Sequence, residues 1–206
     1  MYFTFSGAGG VGKTTLINWL TNIFSSFTKT VSLPDFYNLP SGEVSLNEII
    51  VCLSKEKYRQ NAIINKNIKD GIITFVDRTC YDPLILARTL LNYNQVIEIE
   101  DWYRNKNFIH GHHFYLVASH SIIKERRIAR GSLPKSTLLK GLNLSQEQFE
   151  NHLYINWIKL HQELSIPFYE IDFSSNDFLR NYENVLRILL PMVSNFKSNL
   201  EFNIIE

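Results

Sequence analysis

Residues 7–15 read Gly7-Ala8-Gly9-Gly10-Val11-Gly12-Lys13-Thr14-Thr15. The spacing of Gly7 and Gly12-Lys13-Thr14 is that of a phosphate-binding loop: a glycine, four further residues, Gly-Lys, and then Ser or Thr. Glycines let backbone N–H groups turn inward around an anion, because they tolerate positive φ and carry no Cβ. Lys13 can reach the β- and γ-phosphates, and the Thr14 hydroxyl can coordinate Mg²⁺. The whole stretch therefore predicts a binding site for a nucleoside triphosphate.

The residues on either side of this loop strengthen the prediction. Tyr2-Phe3-Thr4-Phe5 is a short β-prone run. Apolar residues at helical spacing follow the loop, namely Leu16, Ile17, Trp19, Leu20 and Ile23. The alternative is a chance glycine-rich turn. Because strand, loop and helix occur in the order that phosphate binding requires, we favour the nucleotide site.

Composition narrows the class of protein. The chain has 206 residues, 45% of them hydrophobic and 20% charged, which is ordinary for a globular domain. A net charge of +1 gives no reason to expect a strong electrostatic grip on nucleic acid or membrane. Cys52 and Cys80 have no metal-ligand spacing and predict free thiols. With no apparent export signal or apolar run long enough to span a bilayer, we expect a cytoplasmic protein.

The rest of the chain alternates β-prone runs with stretches of helical periodicity. This alternation is typical of a three-layer α/β domain with helices on both faces of a parallel sheet, and we expect a single domain over 1–206. Capping boxes are predicted at Ser45 with Glu48 and at Ser145 with Gln148. We predict strands at 2–6, 30–33, 72–76, 114–118 and 167–171. We predict helices at 13–25, 45–69, 83–91, 121–130, 145–164 and 175–196. Residues 95–108 are ambiguous, with a short helix around 99–103.

Asp77 follows the continuous apolar run at 72–76. An acidic residue at the carboxyl end of a buried strand is where an open α/β sheet places a magnesium-binding group. Asp77 could therefore hold Mg²⁺ opposite Thr14, directly or through water. The alternative is that Asp77 caps the helix that follows.

The sequence Asp77-Arg78-Thr79 resembles a motif of nucleoside and nucleotide kinases. These include the thymidylate kinase and deoxynucleoside kinase families and the nicotinamide riboside kinase-like ATPases. The resemblance implies a P-loop NTPase fold, with a five-stranded parallel sheet in the order 2-3-1-4-5. It also implies that Arg78 contacts phosphoryl groups or the acceptor side of the transfer, and a guanidinium fork is well shaped for phosphate oxygens. A surface ion pair, for instance with Asp82, is the alternative.

Residues 114–130 resemble the same families in a second way. A strand that ends in small residues is followed by a helix that carries Arg126, Arg127 and Arg130, which the resemblance assigns to a lid at approximately 126–144. Arginines in a lid can neutralise the charge of a phosphoryl group in transfer. The alternative is a solvated basic helix end, where cations favour the helix dipole.

The acceptor side is less clearly marked. The resemblance to deoxynucleoside kinases suggests Asp35 as a general base toward a hydroxyl group, by position alone, although Asp35 also fits a turn after Pro34. Tyr58, Arg59 and Gln60 could read an acceptor base or bind a phosphate, but they also fit the polar face of an amphipathic helix. For three closely spaced histidines, His110, His112 and His113, we favour a scaffold role over metal binding. The resemblance places adenine near residues 174–176.

Taken together, the motifs favour an ATP- and Mg²⁺-dependent kinase acting on a nucleoside, a deoxynucleoside or a nucleoside monophosphate. The acceptor is a small molecule; a nucleic-acid or membrane partner is not expected, and a homodimer stays open. The alternative is a regulatory switch ATPase with a macromolecular partner. Two residues argue against this alternative. Partitioning ATPases have a signature lysine at the position of Ala8, and signalling switch NTPases usually have a second acidic residue at the position of Arg78. Residues 65–68 lack the aspartate that reads guanine in GTPases.

Overall fold

The computed structural model describes residues 1–26, 29–33, 44–131, 144–175 and 177–202, with side chains described up to residue 196. The strands are β1 (Tyr2–Gly7), β2 (Thr30–Leu33), β3 (Ile73–Asp77), β4 (His112–Val117) and β5 (Phe168–Asp172). The helices are α1 (Lys13–Ser25), α2 (Leu46–Lys69), α3 (Asp82–Leu90), α4 (Tyr93–Arg104), α5 (His120–Ala129), α6 (Gln146–Leu164) and α7 (Phe178–Phe202).

The five strands form one parallel sheet in the order β2-β3-β1-β4-β5. This confirms the predicted fold class and strand order. β1 lies at the centre and is buried along its whole length. Phe5 of β1 is in register with Asp77 on one side and with Phe114 on the other. The register brings the carboxyl ends of β3 and β4 next to the loop that follows β1.

Two hydrophobic cores cover the two faces of the sheet. On one face, α1 and α7 pack against four buried phenylalanines, Phe3, Phe5, Phe75 and Phe114. Burying each such ring contributes about 1.5–3 kcal/mol. On the other face, helices α2, α3, α4 and α6 pack together through a second cluster, which includes Ile50, Ile85, Ile99, Tyr115 and Trp157. The domain therefore has three layers.

Local capping signals decide where several helices begin. Both predicted capping boxes form: the backbone N–H of Glu48 donates to Ser45 Oγ and that of Gln148 to Ser145 Oγ. A third box, Asn92 with Gln95, starts α4 in the segment that the sequence left ambiguous. None of the helices in the described ranges is both long and apolar enough to cross a bilayer.

Candidate active site

The glycine-rich loop connects β1 to α1. Gly7, Gly10 and Gly12 have φ values of 132°, 90° and 117°, a region that side chains rarely enter. At Gly7 a Cβ would lie 2.4 Å from the backbone oxygen of Leu116, so glycine is required there on steric grounds as well. These conformations place the loop directly before the N-terminus of α1, where an anion is favoured.

Lys13 is buried at the base of the loop. Its Nζ donates to the backbone oxygens of Gly7 at 3.0 Å and Ala8 at 3.2 Å. These contacts hold the ammonium group at the loop, and phosphate oxygens are stronger acceptors than backbone carbonyls.

Thr14 and Asp77 form a pair of oxygen groups beside the loop. Thr14 Oγ1 donates to Asp77 Oδ2 at 2.8 Å. Asp77 is buried, and its other oxygen, Oδ1, has no hydrogen-bond partner among the described residues. A buried carboxylate oxygen without a partner is costly unless a further ligand satisfies it. A hydroxyl and a carboxylate are ligands that Mg²⁺ prefers, so this pair fits a magnesium site. Asp77 does not cap α3, whose N-cap is Tyr81.

Arg78 occupies a strained backbone position. Its φ is 66°, while its N–H donates to the backbone oxygen of Phe5 at 3.0 Å. The side chain contacts Asp82, with 3.3 Å between NH1 and Oδ1, which is the ion pair that the sequence offered as the alternative. Asp82 also accepts from Ser6 Oγ and from the N–H of Thr79. The side chain of Arg78 is about a quarter exposed, at the carboxyl edge of the sheet.

Arg126 connects the loop to the segment after β5. It donates to the backbone oxygens of Val11 at 3.1 Å and Ser175 at 2.8 Å. Its guanidinium carbon lies 5.4 Å from the ring centre of Phe178. Burial, and then the nearby Arg130, lower the pKa of Arg126 from its usual value. Adenine was predicted to bind near residues 174–176, and Arg126 connects Ser175 of this segment to the loop. Asn176 lies outside the described residues.

Arg127 and Arg130 differ sharply in position. Arg127 is buried, and its Nε donates to the backbone oxygen of Gly9 at 2.6 Å. Arg130 is exposed at the C-cap of α5. The predicted arginine cluster therefore has two members on the loop and one at the surface. Asp35 and residues 132–143 of the predicted lid lie outside the described residues.

The α2 residues that could bind the acceptor contact other residues of the protein instead. Gln60 is buried and accepts from Lys57 Nζ, whereas Arg59 pairs with Glu56 at the surface. Tyr58 packs edge-on against Trp102. The sequence reasoning missed Lys57, whose Nζ also donates to the backbone oxygen of Asp77 at 3.2 Å. The available signal was that Lys57 and Gln60 lie at helical spacing between Leu53 and Ile64 on the buried side of α2.

The three histidines for which we predicted a scaffold role lie in β4 or just before it. His112 and His113 point to opposite faces of β4, and His113 is buried. His110 contacts the hydroxyl of Tyr81 at 2.9 Å. Within the described ranges, no group of three or more His, Cys, Asp or Glu side chains is arranged to hold a metal ion.

A cavity of about 310 Å³ opens next to Ala8. The end of β4, the start of α5 and one side of α6 form its walls. Tyr115 lies in the wall and is 94% buried, yet its hydroxyl has no hydrogen-bond partner in the part of the chain that the structure describes. Burial raises the pKa of Tyr115, so the hydroxyl stays protonated. The other polar groups in the walls belong to Ser119, His120, Glu147, Glu150, Asn151 and Tyr154.

Comparisons with known proteins bear on the fold. No protein-family model and no curated protein sequence matches the chain. Among solved structures, deoxyadenosine kinase from M. mycoides with the products dCMP and a flexible dCDP bound has a TM-score of 0.64 and 17% identity, and the match covers 93% of this chain and 100% of that chain. The same enzyme with bound dATP gives a TM-score of 0.64 and 15% identity, over 92% of this chain and 98% of that chain. The chain therefore has a P-loop, deoxynucleoside kinase-like fold, as its motifs predicted.

Proposed function

We propose that residues 1–206 form a single kinase domain that moves the γ-phosphoryl group of ATP to a nucleoside, a deoxynucleoside or a nucleoside monophosphate. The observation that carries the proposal is the buried carboxylate of Asp77, held 2.8 Å from the Thr14 hydroxyl beside a glycine-rich loop. The structural likeness to deoxyadenosine kinase supports the same class of reaction.

The residues of the chain have distinct roles in this proposal. The loop amides of residues 7–15 and Lys13 bind the phosphates. Thr14 and Asp77 hold Mg²⁺, which supplies positive charge to the transferring group when bound. Arg78, Arg126 and Arg130 neutralise the negative charge that spreads over the phosphoryl oxygens. Asp35 is kept as the proposed general base.

The cavity beside Ala8 favours an acceptor that carries no phosphate. Glu147 would repel a monophosphate, whereas a hydroxyl group of a sugar could donate to its carboxylate. The hydroxyl of Tyr115, in the wall of this cavity, offers a further partner to such a ligand. Among the proposed acceptors we therefore favour the nucleoside or deoxynucleoside.

An acceptor panel tests this function. ADP production is measured with ATP, Mg²⁺ and each of the common nucleosides, deoxynucleosides and their monophosphates. A kinase has low basal turnover and a large stimulation by one class of acceptor. If no acceptor stimulates turnover but a macromolecular partner does, the alternative of a switch ATPase replaces the proposal.

Lys13→Ala is the matched inactive variant. We expect the stimulated turnover to fall roughly a hundredfold or more, because a preorganised positive charge is lost from the transition state, while the fold is kept. Lys66→Ala, which changes an exposed lysine of α2, serves as the control. Normal turnover in purified Lys13→Ala would show that the assigned site is wrong.

A further inference from the structure

The outer side of the phosphate-binding loop is held by two neighbouring arginines. A loop that turns its N–H groups toward an anion must direct carbonyl groups the other way. Here Gly9 O accepts from Arg127 Nε at 2.6 Å, and Val11 O accepts from Arg126 NH1 at 3.1 Å. Both arginines thus contact carbonyl oxygens of the loop.

Arg127 packs closely on the loop backbone. A Cβ at Gly10 would lie 2.9 Å from Arg127 Cγ, and one at Gly9 would lie 3.4 Å from Arg127 NH2. The side chain of Arg127 is only 7% exposed. This geometry fixes the guanidinium plane against the loop. A shift of the side chain would release Gly9 O and let the peptide groups of the loop rotate.

Glu150 of α6 determines where this guanidinium lies. Its Oε1 accepts from Arg127 NH2 at 2.5 Å and from Gln146 Nε2 at 2.7 Å. Its Oε2 lies 3.9 Å from His120 Nδ1. The side chain of Glu150 is 13% exposed. A buried guanidinium needs a counter-charge, because an unpaired buried charge is strongly unfavourable.

We propose that Glu150 is a positioning residue for nucleotide binding: through Arg127 it keeps the phosphate-binding loop in the conformation that presents its N–H groups. The inference rests on the proposed nucleotide site and extends it to a residue 140 positions from Gly10 in sequence. Arg127 then acts on the nucleotide through the loop, unlike an arginine that touches the transferring phosphoryl group.

The two roles have different kinetic signatures. A residue that preorganises the loop contributes equally to binding of the ground state and of the transition state, so its loss raises KM for ATP and leaves kcat nearly unchanged. A residue that contacts the transferring group contributes only in the transition state, so its loss lowers kcat. A change confined to overall stability would alter neither parameter at a temperature well below Tm.

Glu150→Gln tests the inference, with Glu183→Gln as the matched control. Glu183 is an exposed residue of α7, and its substitution makes the same change of charge. We expect Glu150→Gln to bind Mg²⁺-ADP roughly tenfold more weakly by calorimetry, since a charge-assisted bond that holds Arg127 is lost. Glu183→Gln should bind like the wild type.

A second variant covers the case in which Glu150→Gln is poorly folded. Arg127→Lys keeps the charge but loses the planar fork, so we expect a similar loss of ADP affinity. Because both substitutions break the same contact, that between Glu150 and Arg127, the double variant should bind ADP no more weakly than either single variant.

Three outcomes would overturn the inference. Glu150→Gln could keep wild-type ADP affinity, both glutamate variants could lose equally, or the whole loss could fall on kcat with the acceptor that the panel identifies. A wild-type chain that binds neither ADP nor ATP would instead overturn the proposed function itself. Wild-type nucleotide binding with an unaffected Glu150→Gln variant overturns only the positioning role.

Discussion

The hydroxyl of Thr14 donates a hydrogen bond to the carboxylate of Asp77, and 2.8 Å separates Thr14 Oγ1 from Asp77 Oδ2. The contact joins the first turn of α1 to the last residue of β3, two elements 63 residues apart in sequence. Asp77 Oδ1 is buried and has no hydrogen-bond partner among the described residues, so the carboxylate has an unused acceptor. This supports the proposal that the pair supplies two of the oxygen ligands of Mg²⁺.

Asp77→Asn tests the metal role. The amide keeps the shape of the side chain and can still accept from Thr14, but it carries no charge. We expect turnover to fall at least tenfold and the Mg²⁺ concentration for half-maximal turnover to rise by roughly the same factor. Magnesium titrations of the wild type and the variant measure both effects.

Asp101→Asn is the control for this change, since Asp101 lies on the exposed side of α4. It should leave the Mg²⁺ dependence unchanged. An Asp77→Asn variant with the wild-type Mg²⁺ dependence would remove Asp77 from the metal site.

Arg78 allows a test of whether strained backbone is retained for function. A non-glycine residue at φ 66° costs about 1–2 kcal/mol relative to glycine. Arg78→Gly and Arg78→Ala both remove the guanidinium and differ in backbone freedom. We expect both to lose turnover to the same extent, roughly a hundredfold. Urea denaturation should find the glycine variant more stable than the alanine variant by about 1 kcal/mol.

Equal stability of the two Arg78 variants would show that the backbone is not strained. Retained turnover in both would mean that the guanidinium has a structural role and takes no part in phosphoryl transfer. The two measurements are independent, so either part can fail alone.

The sequence was most informative where a signal is local. The capping boxes at Ser45 and Ser145 form as predicted, because each needs only residues three apart. The strand order followed from the resemblance of the glycine loop and Asp77-Arg78 to known kinases. The box at Asn92 is equally local, and it starts α4 several residues before the short helix predicted around 99–103.

The contacts of the arginines could not be predicted in the same way. Their spacing gives the direction of each side chain around α5, but the rotation of α5 on the domain depends on packing. The partner of Arg127, Glu150, lies on α6, across the segment 132–143 that the structure does not describe. For Lys57, a charge at helical spacing between Leu53 and Ile64 indicates a buried contact, but its partner, the backbone of Asp77, carries no signal in sequence.

A buried histidine pair makes stability depend on pH. His113 Nδ1 lies 2.6 Å from His161 Nε2, and His161 Nδ1 lies 3.2 Å from Ile166 O, between the rings of Trp157 and Phe168. Burial lowers the pKa of His161 from 6.5 to about 4. Burial, and then the neighbouring His161, lower the pKa of His113 well below its usual value.

Because both pKa values are lowered in the folded state, the unfolded chain binds more protons below pH 6.5. The free energy of unfolding therefore falls as the pH falls from about 6.5 toward 4, and the contribution of His161 is lost by the lower limit. We expect His161 to account for a loss on the order of 2 kcal/mol over this range. Urea denaturation at pH 7.5 and at pH 4.5 measures it.

His161→Gln removes the titrating ring but keeps a side chain that can hydrogen-bond to His113. The variant should lose less stability than the wild type between the two pH values, because one protonation of the unfolded chain is no longer linked to unfolding. His152→Gln changes an exposed histidine of the same helix and should follow the wild type. If His161→Gln instead shows the wild-type difference in unfolding free energy, the acid sensitivity arises from other groups and the pair is not neutral in the way that its burial implies.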